Sequence, residues 1–474
     1  MNQKILIPDH FMIGTSSSAW QIEGCAGKSE TQKSWADLFY ETDPSRWHDQ
    51  IGPEKASDFY HHYKEDIKTM ADFKMNTFRF TIQWARFMKD ALKKDVDKEA
   101  VAYYRDVIQT IKVHGMKPIV SLEHWDIPAI LLEKYDGWAS RETVDLYVDY
   151  VQKVLDEFHD EVDLWFAFTE PNIPVDNGYI KKNPFSAAML PGTTEKDTSK
   201  DDPKRAYQAH FHKILATAKA VEISRKYENV KMGAMVHMTP VYARSKDARD
   251  VEAAYYTDLF EVRLYLDAYL KGEIPSEIFT ELSKHGCLFE FKEEDLKQIK
   301  ENQIDLLGID YYFPIRVKAR ESAYDGPFCS KYYYEDYVWP QREYNDDRGW
   351  EIYPQAIYDI AMRIKKEYGN KPWFISENGI GIENENRFRN NDGYIDDEYR
   401  IDFIKRHLSY AIKAQAEGCN CHGYLIWSFI DNLSAINAFK NRYGLLELDL
   451  DTYKRIPKKS LYWLKKVLEQ GYLD

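Results

Sequence analysis

Phe374-Ile375-Ser376-Glu377-Asn378-Gly379 is the stretch on which the fold turns. Trp373-Phe374-Ile375 is a short apolar run that ends on a carboxylate and then breaks at Asn378-Gly379. A strand buried on both faces of a parallel sheet reads this way, with its polar residue delivered to the carboxyl edge. The same grammar occurs far earlier, where Leu164-Trp165-Phe166-Ala167-Phe168-Thr169 leads into Glu170 and Pro171. Alone, a strand-end glutamate reads first as a cap or an ion-pair partner. Two at two strand ends are the least that cleavage of a glycosidic bond requires.

Outward from these two, short β-rich runs alternate with helical patterns along the whole chain. The predicted strands are Phe11–Thr15, Thr77–Thr81, Pro118–Leu122, Leu164–Thr169, Lys231–Val236, Asp305–Ile309, Trp373–Ser376 and Gly423–Trp427. Between them the predicted helices cover Ala56–Phe73, Lys98–His114, Arg141–Phe158, Pro203–Tyr227, Gln355–Tyr368 and Asp397–Glu417. Val144, Tyr147, Val148, Val151 and Leu155 carry the three-and-four spacing of a buried helix face. No linker or repeat divides the chain, so the pattern predicts an α/β fold: one (β/α)8 TIM barrel over residues 1–474. Such a barrel needs only about 250 residues, which leaves much of the chain for long βα loops over the active face. Pro171–Asp202 and Tyr311–Tyr353 are the two expected to wall a cleft, the second with Tyr332-Tyr333-Tyr334, Tyr337, Trp339 and Trp350.

Composition bounds the partners. The chain is 44% hydrophobic and 30% charged, with 35 Tyr and 12 Trp. That aromatic wealth serves core filling or the C–H faces of sugars. A net charge of −14 with scattered Lys and Arg excludes a nucleic-acid surface and a polybasic membrane patch, so an anionic substrate needs a local site working against the overall field. Met1 to His10 meets Pro8-Asp9 too early for a signal peptide, and no run is apolar enough to span a membrane. Cys25, Cys287, Cys329, Cys419 and Cys421 form no disulfide pattern, and Cys419-Asn420-Cys421-His422 reads as buried residues before a strand rather than a metal site. A reduced, cytoplasmic protein is expected.

The strand ends then give the decisive set. Trp20-Gln21-Ile22-Glu23-Gly24 follows the first strand and Arg79 lies on the second. The third leads to His124-Trp125-Asp126, the fourth to Glu170, the sixth to Asp310-Tyr311-Tyr312, the seventh to Glu377 and the eighth to Trp427-Ser428. Together they place a carboxylate pair, an arginine, hydrogen-bonding groups and aromatic faces at one end of one barrel.

At these residues the chain resembles glycoside hydrolase family 1, the retaining β-glycosidases. The match includes Phe11–Gly14 with Gln21–Gly24, Phe78-Arg79-Phe80, His124–Pro128, Glu170-Pro171, Ile375–Gly379, Trp427-Ser428, Arg442-Tyr443-Gly444 and Lys459-Ser460. The resemblance implies Glu377 as nucleophile and Glu170 as acid/base. It implies Arg79 and Tyr312 on Glu377, lowering its pKa and leaving Glu170 the higher one. It implies Gln21, His124 and Trp125 on ring hydroxyls, Trp427 under the sugar face, and no metal or organic cofactor.

Three departures bear on substrate. Thr169 stands where the family usually has the Asn that holds the 2-hydroxyl, and Asp310 replaces a usual Asn near Tyr312. Members that cleave free glucosides carry Glu-Trp after the Asp-Asn of the eighth loop, whereas here Asp431-Asn432-Leu433 runs into Ser434-Ala435. Ser434 and Tyr443 match the 6-phospho-β-glycosidases, with Asn441 at their Lys position, Lys440 beside it, and Ala435 leaning to the gluco branch. The expected substrate is a small 6-phospho-β-glucoside. The alternatives are a β-glycosidase for unphosphorylated sugars and a catalytically weak sugar-binding paralogue.

Overall fold

The computed structural model describes residues 4–173, 203–435 and 437–474. Eight parallel strands close a barrel in chain order: β1 Met12–Ser16, β2 Thr77–Thr81, β3 Lys117–Ser121, β4 Leu164–Thr169, β5 Lys231–His237, β6 Leu307–Asp310, β7 Trp373–Asn378 and β8 Cys421–Ile426. Closure is the pairing of β8 with β1, Gly423 beside Met12 through Ile426 beside Thr15. These strands are near-continuous apolar runs because both faces are covered. Ile119, Phe166, Met235, Leu306, Phe374 and Leu425 fill the interior, and the outer faces join the larger core beneath the helices.

The helices Phe59–Asp72, Lys98–Val113, Arg141–Phe158, Pro203–Ser224, Gln355–Glu367 and Glu398–Ala416 fall where the periodicity predicts them. On Arg141–Phe158 the buried stripe runs through Val144, Tyr147, Val151 and Leu155, joined by Tyr150 and Val154, while Val148 is half-buried. Ahead of β6, the stretch left without helices by the sequence reading holds Ala248–Asp258, a π-helical Leu259–Arg263 and Leu264–Leu270. Among the described residues no helix is long and apolar enough to cross a membrane.

The long segment after β6 does wall the mouth of the barrel. Its strand Ile315–Ala319 joins Val241–Ala243 and Tyr334–Asp336 in a small sheet, and Glu343–Asn345 pairs with Trp350–Ile352. Tyr337 and Trp350 line the cleft, whereas Tyr333 stacks on Tyr256, with ring centroids 4.1 Å apart. Most of the other expected wall, residues 174–202 of Pro171–Asp202, lies outside the described residues.

Candidate active site

The two strands that carry the glutamates are both bulged just before them. Phe166 and Thr169 of β4 stand opposite Gly233 and Met235 of β5, and Ile375 and Glu377 of β7 stand opposite Ile309 and Asp310 of β6. Each carboxylate strand therefore has one residue more than its partner, which bends it and re-aims the residue that follows. Glu170 then takes φ 50°, a left-handed conformation that costs a non-glycine residue free energy. Its surroundings hold it there. The Glu170 N–H donates to Met235 O at 2.9 Å, and Asn172 clamps the neighbouring backbone, accepting from His237 N at 2.9 Å and donating to His237 O at 2.8 Å.

Glu377 is almost fully buried between two donors, the Arg79 guanidinium at Oε1 and the Tyr312 hydroxyl at Oε2 (2.8 Å). The contacts expected for Glu377 are therefore present, but the expected net lowering of its pKa is not. Burial outweighs the other influences and pushes its carboxyl up to about 7, with Arg79 and Tyr312 opposing and the charge of Glu170 adding to it. Arg79 also donates to Ser17 O (2.5 Å) and to His124 Nδ1 (3.1 Å). Because arginine can only donate, that last bond makes Nδ1 the acceptor and puts the imidazole proton on Nε2. Burial first, then the Arg79 charge, hold His124 well below the usual histidine range, so it is neutral.

Glu170 has a partner that the strand-end inventory passes over. His237, the last residue of β5, sits with Nδ1 2.9 Å from Glu170 Oε1. The cue was in the sequence, since Met235-Val236-His237 ends a strand on a polar residue as the others do. Oxygens of Glu170, Glu377 and a third carboxyl, Asp310, all lie within 4.8 Å of one another. An approach this close is the one expected of a retaining pair. Asp310 is fully buried and accepts from Ser376 Oγ at 2.6 Å, while its Oδ2 has no partner. Burial, then the charges of Glu377 and Glu170, push it well above the usual carboxylate range. Three carboxyls this close could grip a cation, but the Arg79 guanidinium is already paired with Glu377.

The cleft above has a volume of about 650 Å³. Gln21, His124, Trp125, Glu170, Tyr312, Glu377, Trp427, Ser434 and Tyr443 line it, with His237, Arg348 and Trp350. Arg79 lies directly behind Glu377. Gln21 is fixed by accepting from Ser18 Oγ (2.5 Å) and donating to Leu433 O (2.6 Å), which ties the loop after β1 to the loop after β8. Tyr312, Trp427 and Tyr443 pack as one aromatic cluster with Trp350 and Phe313 against it. β7 and β8 approach so closely here that a Cβ on Gly379 would lie 1.9 Å from Trp427 O, which accounts for the glycine of the opening motif.

Three expected sugar ligands are set away from the cleft. Thr169 is fully buried, its short hydroxyl bonded to Ser121 Oγ at 2.8 Å and against Met235 Sδ at 3.4 Å, too deep to reach a sugar. Lys440 is drawn to Glu383 (2.9 Å) on the outer side, because the next residues, Asn441–Arg442, pair with Ile382–Glu383. Asn441 is buried beneath, donating to Asp347 O at 3.2 Å and accepting from Asn437 at 3.1 Å.

A closed parallel barrel whose fourth and seventh strands bring two carboxyls together over an aromatic cleft defines the class: a glycoside hydrolase. Comparison with known proteins narrows it. The chain belongs to Glycosyl hydrolase family 1, whose profile matches residues 3–472. It is 41% identical to the 6-phospho-beta-glucosidase GmuD of Bacillus subtilis over 98% of each chain. It is 30% identical to beta-glucosidase A of Acetivibrio thermocellus over 99% of each. Among solved structures it is similar to the family 1 β-glucosidase of Thermotoga maritima, with a TM-score of 0.87 and 27% identity over 100% of both chains.

Proposed function

We propose that this protein hydrolyses 6-phospho-β-glucosides with retention, using Glu377 as nucleophile and Glu170 as acid/base. Glu377, ionised, attacks the anomeric carbon from the face opposite the aglycone. The bond to the glycosidic oxygen breaks while Glu170 gives that oxygen its proton, leaving a glycosyl ester on Glu377. Glu170, now a carboxylate oriented by His237, takes a proton from water. The resulting attack on the anomeric carbon releases Glu377 and gives the β-sugar. Arg79 and the Tyr312 hydroxyl stabilise the negative charge of Glu377 before it attacks and as it is released, and neutral His124 presents Nε2–H to a ring hydroxyl.

The observation that carries the phosphate is Ser434 on the wall of the cleft that Tyr443 also lines, at the position where free-glucoside enzymes of the family place a glutamate. A carboxylate there would repel a phosphate, and a serine donates to it. The 6-phospho-beta-glucosidase relative at 41% identity supports the same reading. Paired kinetics on an aryl β-glucoside and its 6-phosphate test it. The phosphorylated substrate should win by at least about a hundredfold in kcat/KM, and faster cleavage of the unphosphorylated one would refute it.

A further inference from the structure

We infer that Arg348, from the segment after β6, supplies the cationic ligand for the substrate phosphate, in the role that family resemblance suggested for Lys440 or Asn441. The inference rests on the 6-phospho reading above and names the residue that makes it work. Arg348 lines the same cleft as Ser434 and Tyr443. Its Nε donates to Tyr443 Oη at 2.9 Å, and its guanidinium lies over the Trp350 ring at 4.2 Å. Among the described residues Tyr443 is its one polar partner, so both terminal nitrogens keep their N–H groups for a ligand. Its neighbour Asp347, which could have neutralised it, is turned to Arg387 and to the backbone N of Glu383.

The other cations near the cleft are differently committed. Arg316 is paired with Glu351 (2.7 Å), Lys331 with Asp336 (2.8 Å) and Arg79 with Glu377, while Arg342, which like Arg348 lies over a ring, sits on the exposed Tyr344 at 4.0 Å and has no bond to Tyr443. Arg348 thus brings to the cleft that Ser434 and Tyr443 line a charge bonded to Tyr443 and without an ion pair among the described residues. A chain of net charge −14 needs that to hold a dianion. The geometry suits the task. Stacking on Trp350 limits the freedom of the side chain, and the guanidinium fork matches two phosphate oxygens. Because Tyr443 Oη accepts from Arg348, its own proton is left to donate to the same phosphate, with Ser434 as the third donor.

The test compares wild type, Arg348→Met, Arg348→Lys and Lys440→Ala on p-nitrophenyl β-glucoside and its 6-phosphate, reading the ratio of the two kcat/KM values. Arg348→Met should lower the phosphorylated-to-unphosphorylated ratio by at least about thirtyfold, chiefly through KM for the phosphorylated substrate. Arg348→Lys, which keeps the charge but loses the fork, should lower it less, and Lys440→Ala should leave it within about twofold. Inorganic phosphate should compete with the phosphorylated substrate more weakly in Arg348→Met than in wild type. A wild-type ratio in both Arg348 variants, or equal losses on both substrates, would overturn the role of Arg348 and leave the 6-phospho reading standing. No preference in wild type itself would overturn that reading and this inference together.

Discussion

At the scale of single residues, the site sets two opposing influences on one carboxyl. Burial pushes Glu377 up to about 7 against the opposing pull of Arg79 and Tyr312, which favour the ionised form that the proposed attack requires. The acidic limb of kcat/KM should therefore lie near neutrality, with activity lost as pH falls and the carboxyl set takes up a proton. Removing the Tyr312 hydroxyl raises the pKa of Glu377 further. In Tyr312→Phe the acidic limb should move to higher pH and kcat/KM at the optimum should fall at least about tenfold, the value of one hydrogen bond to a charged group. A pH–rate profile that stays in place would show that the 2.8 Å contact does not tune the nucleophile. Glu170→Gln should spare dinitrophenyl substrates and cripple those with poor leaving groups, with azide restoring the second step. Equal losses on both substrate types would move the acid/base role elsewhere.

Among the elements, β7, β8 and their loops form a clasp at the Ser434 and Tyr443 wall of the cleft. Asp431 accepts from Lys458 Nζ and from Gly444 N, both at 2.9 Å, and so ties together the loop bearing Ser434 and the turn bearing Tyr443. Burial alone would raise the Asp431 carboxyl, but Lys458, Arg442 and Arg400 outweigh it and hold the group below its usual range. Gly379→Ala should force β7 from β8, since its Cβ would meet Trp427 O at 1.9 Å. A loss of more than about 3 kcal/mol in denaturant unfolding, with collapse of activity, is expected, and near-normal stability would contradict this packing. The strands themselves were legible, because strands covered on both faces must be almost continuously apolar. The bulges in β4 and β7 were not, because register depends on which strand lies alongside. The inward direction of Thr169 and Asn441 is not legible from place in a motif, because the neighbouring strand decides it. His237 was legible by the rule applied to every other strand end. Arg348 was not, since it comes from a long segment whose strands are too short to show periodicity.

For the molecule as a whole, the site is held against stability. The folded-state pKa values of Glu377 and Asp310 are both raised, so the stability they contribute is full below the ordinary carboxylate range and is lost as pH rises through those values. Asp310→Asn removes one such group and gives the unpartnered Oδ2 position an N–H that can donate to a neighbouring carboxylate. The stability advantage of this variant over wild type in denaturant unfolding should grow from pH 5 to pH 8 and reach at least about 1 kcal/mol. A wild type that is the more stable protein across that range would show that Asp310 is ionised and paired. The whole account, from barrel order to bulged strands to carboxyl spacing, converges on a covalent intermediate at one residue. The direct measurement is mass spectrometry of peptides after exposure to a 2-deoxy-2-fluoro-6-phospho-β-glucoside with a good leaving group. The label should fall on the peptide containing Ile375-Ser376-Glu377-Asn378, at Glu377. A label on any other residue would contradict the account.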